Sequence, residues 1–256
     1  MMPVGRLALA VGLSLLLTAC GRKGPLIYPD MLVPAAPSAV TAQQSGSAVK
    51  VQFVLPEKDR AGRPLQGLSG VKISKRTADA AQTDVCRSCT TEYRLLRSLY
   101  LGLLPTDTQI FGNRVIMLDS DVNAGNIYSY SIVPFTADGV DGAASAIADV
   151  HMGHALPAPA VSIESFPTEV RIHFSWQPQR SGRLLGFNLY RALGALPRSY
   201  QPLNKEPLQG NEYVDSALDR GVKYRYIARA LLGMETGGVA ESAGSQELEG
   251  MLKDDE

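Results

Sequence analysis

Neither sign of charge is in surplus: 25 Lys and Arg stand against 25 Asp and Glu in 256 residues. That balance argues against nucleic acid as a partner, because phosphate neutralisation needs an excess of cations. Histidine occurs three times, as His151, His154 and His173. His151 and His154 could form half of a metal site, but a closed zinc site needs four ligands and no others stand at ligand spacing. Nucleophile elbow, phosphate-cradling glycine loop and paired-acid motif are all missing. After the first twenty residues no apolar run is long enough to span a bilayer. Asp119 and Asp215 lie beside turns, where a carboxylate more often accepts backbone N–H bonds than moves protons. The residues thus point away from an enzyme, and no cofactor or metal is expected.

One apolar run is present, from Leu7 to Leu17, behind Arg6. It suits a secretory h-region and is shorter than the ~20 residues a transmembrane helix needs. Leu17-Thr18-Ala19-Cys20 resembles a bacterial lipobox. The resemblance implies cleavage after residue 19 and a lipid-bearing Cys20; the bland alternative is a signal peptide with a chance cysteine. Gly21, rather than Asp, implies export to the outer membrane in Gram-negative lipoproteins. Several acyl chains would hold such a protein stably on a bilayer.

The mature part contains a repeat. Asp119-Ser-Asp-Val-Asn-Ala-Gly125-Asn-Ile-Tyr128-Ser-Tyr130 returns as Asp215-Ser-Ala-Leu-Asp-Arg-Gly221-Val-Lys-Tyr224-Arg-Tyr226, an offset of 96 residues. Val49 to Leu55 and Val170 to Trp176 alternate apolar and polar at period two, as strands with one face on a core do. Gly70 to Arg76 answers Gly186 to Arg191. Tyr93 to Leu103 is ambiguous locally, but its place in the repeat predicts a strand. Proline and glycine punctuate short runs, so the fold class is all-β.

Each copy resembles a fibronectin type III domain. The likeness lies in a B strand ending in Leu55-Pro56 or Trp176-Gln-Pro178, a C strand ending in Ser-Lys or Tyr-Arg, and the apolar-x-x-Gly-x-x-Tyr turn. It implies two tandem antiparallel β-sandwiches, at residues 36–152 and 157–248. They follow a signal peptide (1–19) and a lipidated, Pro-rich spacer (20–35), and an acidic, frayed tail (249–256) comes after. Residues 29–37 are expected to extend at ~3.1 Å each and lift the first domain off the membrane. Gly125 and Gly221 supply positive φ at the turn. Tyr128 and Tyr224 are placed like tyrosine corners, ring inward and hydroxyl on nearby backbone. Tyr130 and Tyr226 share that inward face, and Trp176 is expected to plug the core. The alternative for the tyrosines is a stacking platform for a sugar or aromatic ligand.

Cys86-Arg-Ser-Cys89 sits in an insertion peculiar to the first copy. In an oxidising compartment the pair favours a disulfide stapling that loop. A redox-active or metal-binding pair is the alternative, and the helix N-terminus that lowers a thiol pKa has no counterpart here. Cys20-Gly21-Arg22-Lys23-Gly24-Pro25-Leu26-Ile27-Tyr28-Pro29 resembles the start of LptM-type small outer-membrane lipoproteins, departing at Ile27. That likeness implies contact with the lipopolysaccharide-transport machinery. By residue chemistry, Arg22 and Lys23 suit lipid phosphates, and Leu26 and Tyr28 suit the interface; a plain membrane-proximal spacer is the alternative. The expectation is a non-enzymatic envelope lipoprotein that binds or scaffolds an envelope protein or a glycan. Its alternatives are an accessory factor of lipopolysaccharide transport and a thiol–disulfide protein.

Overall fold

A computed structural model describes residues 28–81, 92–178, 182–235 and 237–254. Cys20, the segment from Gly21 to Leu26, Cys86 and Cys89 lie outside the described residues. Eight strands build a first sandwich: β1 (Ser38–Ser45), β2 (Ala48–Val54), β3 (Leu68–Asp79), β4 (Arg94–Tyr100), β5 (Thr108–Phe111), β6 (Arg114–Asp119), β7 (Asn126–Thr136) and β8 (Ala148–Met152). One sheet runs β1-β2-β6-β5 and the other β4-β3-β7-β8. The second sandwich holds β9 (Ala160–Ser165), β10 (Val170–Ser175), β11 (Gly182–Leu193), β12 (Glu212–Asp215), β13 (Tyr224–Met234), β14 (Val239–Glu241) and β15 (Leu248–Gly250). Its sheets are β12-β10-β9 and β11-β13-β14, with β15 also on β13. These are the two β-sandwiches the sequence predicts.

The period-two pattern explains the cores. Val49, Val51 and Phe53 turn inward from β2, as do Val170, Ile172 and Phe174 from β10. The ambiguous stretch is the strand β4, paired along β3 from Gly70↔Tyr100 to Lys75↔Arg94. Gly125 and Gly221 have φ of 88° and 73°, which residues with a Cβ rarely adopt. The apolar residue three before each, Val122 or Leu218, packs on its own core.

Three expectations need correction. Trp176 follows the inward parity of β10 but falls just after its last residue, so it lies half-buried at the rim of the core and does not plug it. Residues 249–254 do not fray: β15 pairs with the start of β13, Leu252 is buried, and the Lys253 amide donates to the Phe166 carbonyl at 3.0 Å. The acidic composition hid one apolar contact and a set of backbone bonds that needs no particular side chain. Nor is the Pro-rich segment an extended spacer. Pro29–Met31 makes a 3-10 turn, and the next residues lie along the loop after β2. There Ala61 N donates to Met31 O, Arg60 N to Val33 O, and Ala35 N to Lys58 O, each at 3.0 Å.

The two sandwiches are also joined more closely than a linker requires. β1 pairs in parallel with β14 (Gln44↔Ala240, Ser45↔Glu241), so one sheet runs β11-β13-β14-β1-β2-β6-β5 through both units.

Candidate functional site

The duplicated Asp-x5-Gly-x2-Tyr-x-Tyr motif closes into the same cluster twice. In the first sandwich Tyr128 is buried and its hydroxyl accepts the Asn123 amide at 2.7 Å. In the second, the hydroxyl of Tyr224 accepts the Asp219 amide at 3.1 Å. Tyr130 and Tyr226 are fully buried and donate to Asp119 Oδ2 at 2.8 Å and Asp215 Oδ2 at 2.9 Å. Each carboxylate also accepts a backbone amide, from Asp121 or Ala217, on its other oxygen. A cation from β3 or from β11 completes each cluster: Lys75 Nζ lies 2.9 Å from Asp119, and Arg191 Nη1 lies 2.8 Å from Asp215. These cations also stand over the rings of Tyr128 and Tyr224.

The geometry decides what these groups can do. Burial, and then the adjacent carboxylate, push the Tyr130 and Tyr226 phenols up from their ordinary value. Both stay protonated donors. With its partners already in place, each carboxylate is a structural acceptor that ties the strand before the turn to the strand after it. Gly125 and Gly221 sit at the turns themselves, and Trp176 lies away from both clusters at the rim of the second core. The rings are buried in the cores, so they present no stacking platform to solvent.

The remaining sequence candidates are dispersed. His173 is half-buried with Nδ1 3.3 Å from Glu212 Oε2. His151 ends up exposed on β8, and the carbonyl of His154 accepts the Gln44 side-chain amide at 3.1 Å. Among the described residues no group of three or more His, Cys, Asp or Glu could hold a metal ion. Tyr28 is exposed where the described chain begins.

A second cluster, which sequence reasoning missed, lies between the sandwiches. Lys50 points out of the first core, as the alternation on β2 requires, yet it is buried because the second sandwich covers it. Its Nζ lies 2.8 Å from Glu241 Oε2 and donates to Tyr190 Oη at 3.0 Å. Ser45 donates to the same Glu241 oxygen at 2.7 Å; Asn188, at 2.6 Å, and the Tyr190 hydroxyl donate to the other. Burial alone would raise the Glu241 pKa, but the Lys50 charge and the hydrogen bonds outweigh it and hold the carboxyl at about 2. Lys50 is on β2 and Tyr190 on β11, four strands apart in the shared sheet. Flat, those strands would stand about 19 Å apart at roughly 4.8 Å per strand, beyond the joint reach of the two side chains. The sheet therefore folds over at the β14–β1 seam, and its outer faces meet.

Further contacts hold this fold-over. Ile116 is 1% exposed yet belongs to neither core, because its face of β6 is turned toward the second sandwich. Beside it on β5, Gln109 donates to Arg198 O at 2.8 Å and accepts from Tyr200 N at 2.7 Å. Gln44 binds both sides of the linker, donating to Gly153 O at 3.1 Å and accepting from Gly153 N at 3.0 Å. What the arrangement does chemically is fix one sandwich against the other. A cavity of about 110 Å³ lies in the seam beside Lys50, Tyr190 and Arg198, and a larger cleft of about 410 Å³ opens where β1 meets β14, lined by Gln44, Met152, Met234 and Ala240 among others.

No family model matches the chain. Among solved structures, the crystal structure of the FN1–FN3 domains of chicken CNTN1 is similar at 13% identity, with a TM-score of 0.31. The likeness covers 87% of this chain, which spans 66% of that one, just under two thirds of its length. The two-sandwich assignment rests on the strand order and pairing described above.

Proposed function

We propose that this chain is an exported lipoprotein, held on the outer membrane through lipid on Cys20, whose paired sandwiches form a non-enzymatic binding or scaffolding module of the cell envelope. The observation that carries the reading is the Leu17-Thr18-Ala19-Cys20-Gly21 box behind its apolar run. The fold is consistent with a structural role. The buried carboxylates Asp119, Asp215 and Glu241 have their oxygens taken by partners inside the protein, and the seam fixes the two sandwiches against each other. A sandwich fold by itself names no ligand.

The reading is tested by replacing Cys20 with Ser and fractionating cells. Release from membranes, or accumulation of uncleaved precursor, is expected. A variant that is processed and sediments like the wild type overturns the anchor. Crosslinking of the wild type in membranes then identifies the envelope protein or glycan it holds.

A second reading makes the chain an accessory factor of lipopolysaccharide transport, favoured by the Cys20-Gly-Arg-Lys-Gly-Pro-Leu-Ile-Tyr-Pro29 start. It requires that residues 20–29, fused to an unrelated carrier, capture the same partner as the whole chain. A third, a thiol–disulfide role for Cys86 and Cys89, requires free or reducible thiols in freshly isolated protein; alkylation and mass measurement decide it.

A further inference from the structure

We propose that the end of the first sandwich where the described chain begins lies against the lipid surface, with Leu32, Leu103 and Val140 dipping into its interfacial layer. This rests on the lipid anchor proposed at Cys20 and adds how the folded part meets the membrane.

The loops sort to two ends. β2 and β7 both run away from the β14–β1 seam, and β1 and β8 run toward it. The loop after β2, the loop after β7, the turn after β4 and the segment from Tyr28 therefore gather at the far end. Ala143 N donates to Pro34 O at 2.9 Å, and Leu101 N to Ser69 O at 2.9 Å, which ties these pieces together. The apolar side chains exposed here are large: Leu103 is 82% exposed, with Tyr28, Leu32, Tyr100 and Val140 also open to solvent. Leu32 and Val140 line one cleft of about 490 Å³. At the opposite end, the turn before β7 exposes Asp121, Asn123 and Ala124 and turns its apolar residue, Val122, onto the core.

The length of chain before this end selects lipid as the occupant. Met31 is already hydrogen-bonded to the loop after β2, so ten residues, Gly21 to Asp30, separate the docked chain from Cys20. Fully extended, the eleven steps from Cys20 to Met31 reach at most about 40 Å, and any relaxation brings the sandwich closer. The end carrying the exposed leucines, valine and tyrosines is the one the tether holds nearest the bilayer. Tyrosine and leucine are side chains that gain by entering the interfacial layer, and Lys58 at the same end remains free to face headgroups.

Tryptophan reporters test this in the full, lipidated chain. In a Trp176→Phe background, Leu103→Trp, Val140→Trp and, as control, Asn123→Trp are reconstituted into phospholipid vesicles with brominated acyl chains. The expected result is blue-shifted emission and loss of fluorescence at positions 103 and 140, with position 123 unchanged. If the protein floats with the vesicles but 103 and 140 are quenched no more than 123, the membrane-facing end is wrong and the anchor stands. If the protein does not float with the vesicles, the anchor reading fails and this one with it. Protection of 103 and 140 seen only in native membranes, with none in pure lipid, assigns the face to a protein and overturns the lipid.

Discussion

Lys50 and Glu241 are 191 residues apart, belong to different sandwiches, and form a buried ion pair at 2.8 Å. The pair sits where β1 meets β14, so it couples the stability of one unit to the position of the other. Replacing one partner leaves a buried charge without its counterion. Lys50→Met or Glu241→Gln is expected to cost about 3–5 kcal/mol. The double variant Lys50→Met with Glu241→Gln should recover part of that loss. Denaturant unfolding of the four proteins checks it, and additive losses would show the pair uncoupled.

The same site makes stability depend on pH in acid. Glu241 has a folded-state pKa of about 2 against an ordinary 4.5. A depressed carboxylate contributes stability above its unfolded value and loses it as pH falls through the folded one. The contribution, on the order of 3 kcal/mol, is therefore present at neutral pH and fades between about pH 4.5 and 2. Urea midpoints across that window should fall for the wild type, and fall less for Glu241→Gln. Parallel slopes would contradict the assignment.

The duplicated tyrosines make matched predictions in both units. Tyr128→Phe and Tyr224→Phe keep the ring but leave the Asn123 or Asp219 amide without its acceptor, at a cost of about 1–3 kcal/mol. Tyr226→Phe removes a donor from the buried Asp215 and should cost a similar ~1–3 kcal/mol. Tyr224→Ala also opens a cavity and should cost about 3–5 kcal/mol. Calorimetry distinguishes this from a ligand role, which would leave the melting unchanged.

Removing residues 247–256 tests the end of the chain. The deletion takes away β15, the buried Leu252 and the Glu247 carboxylate that Arg225 holds at 2.8 Å. A loss of about 2 kcal/mol or more is expected from the apolar burial and backbone bonds together. Unfolding indistinguishable from the full chain would return these residues to the status of a tail.

The clusters around Asp119 and Asp215 were half legible. The repeat marked both aspartates and all four tyrosines, and alternate positions on one strand necessarily share a face. Their pairing with Lys75 and Arg191 was not legible, because those cations come from a strand more than twenty residues away. Trp176 shows the limit of the alternation rule: parity gave its direction correctly, but the strand ended one residue too early to bury it.

Taken alone, the sequence determined the all-β class, the two copies, the inward faces of β2 and β10 and the turns at Gly125 and Gly221. All of these are local: period-two alternation and short fixed spacings are written in neighbouring residues. Only the tertiary structure decided that Lys50 is buried, that β1 pairs with β14, that residues 31–35 dock on the loop after β2 and that residues 248–253 belong to the second sandwich. Alternation states which way a side chain points and not what comes to lie there. Backbone pairing uses N–H and C=O groups that nearly every residue carries, so no side chain marks which strand edge will meet which.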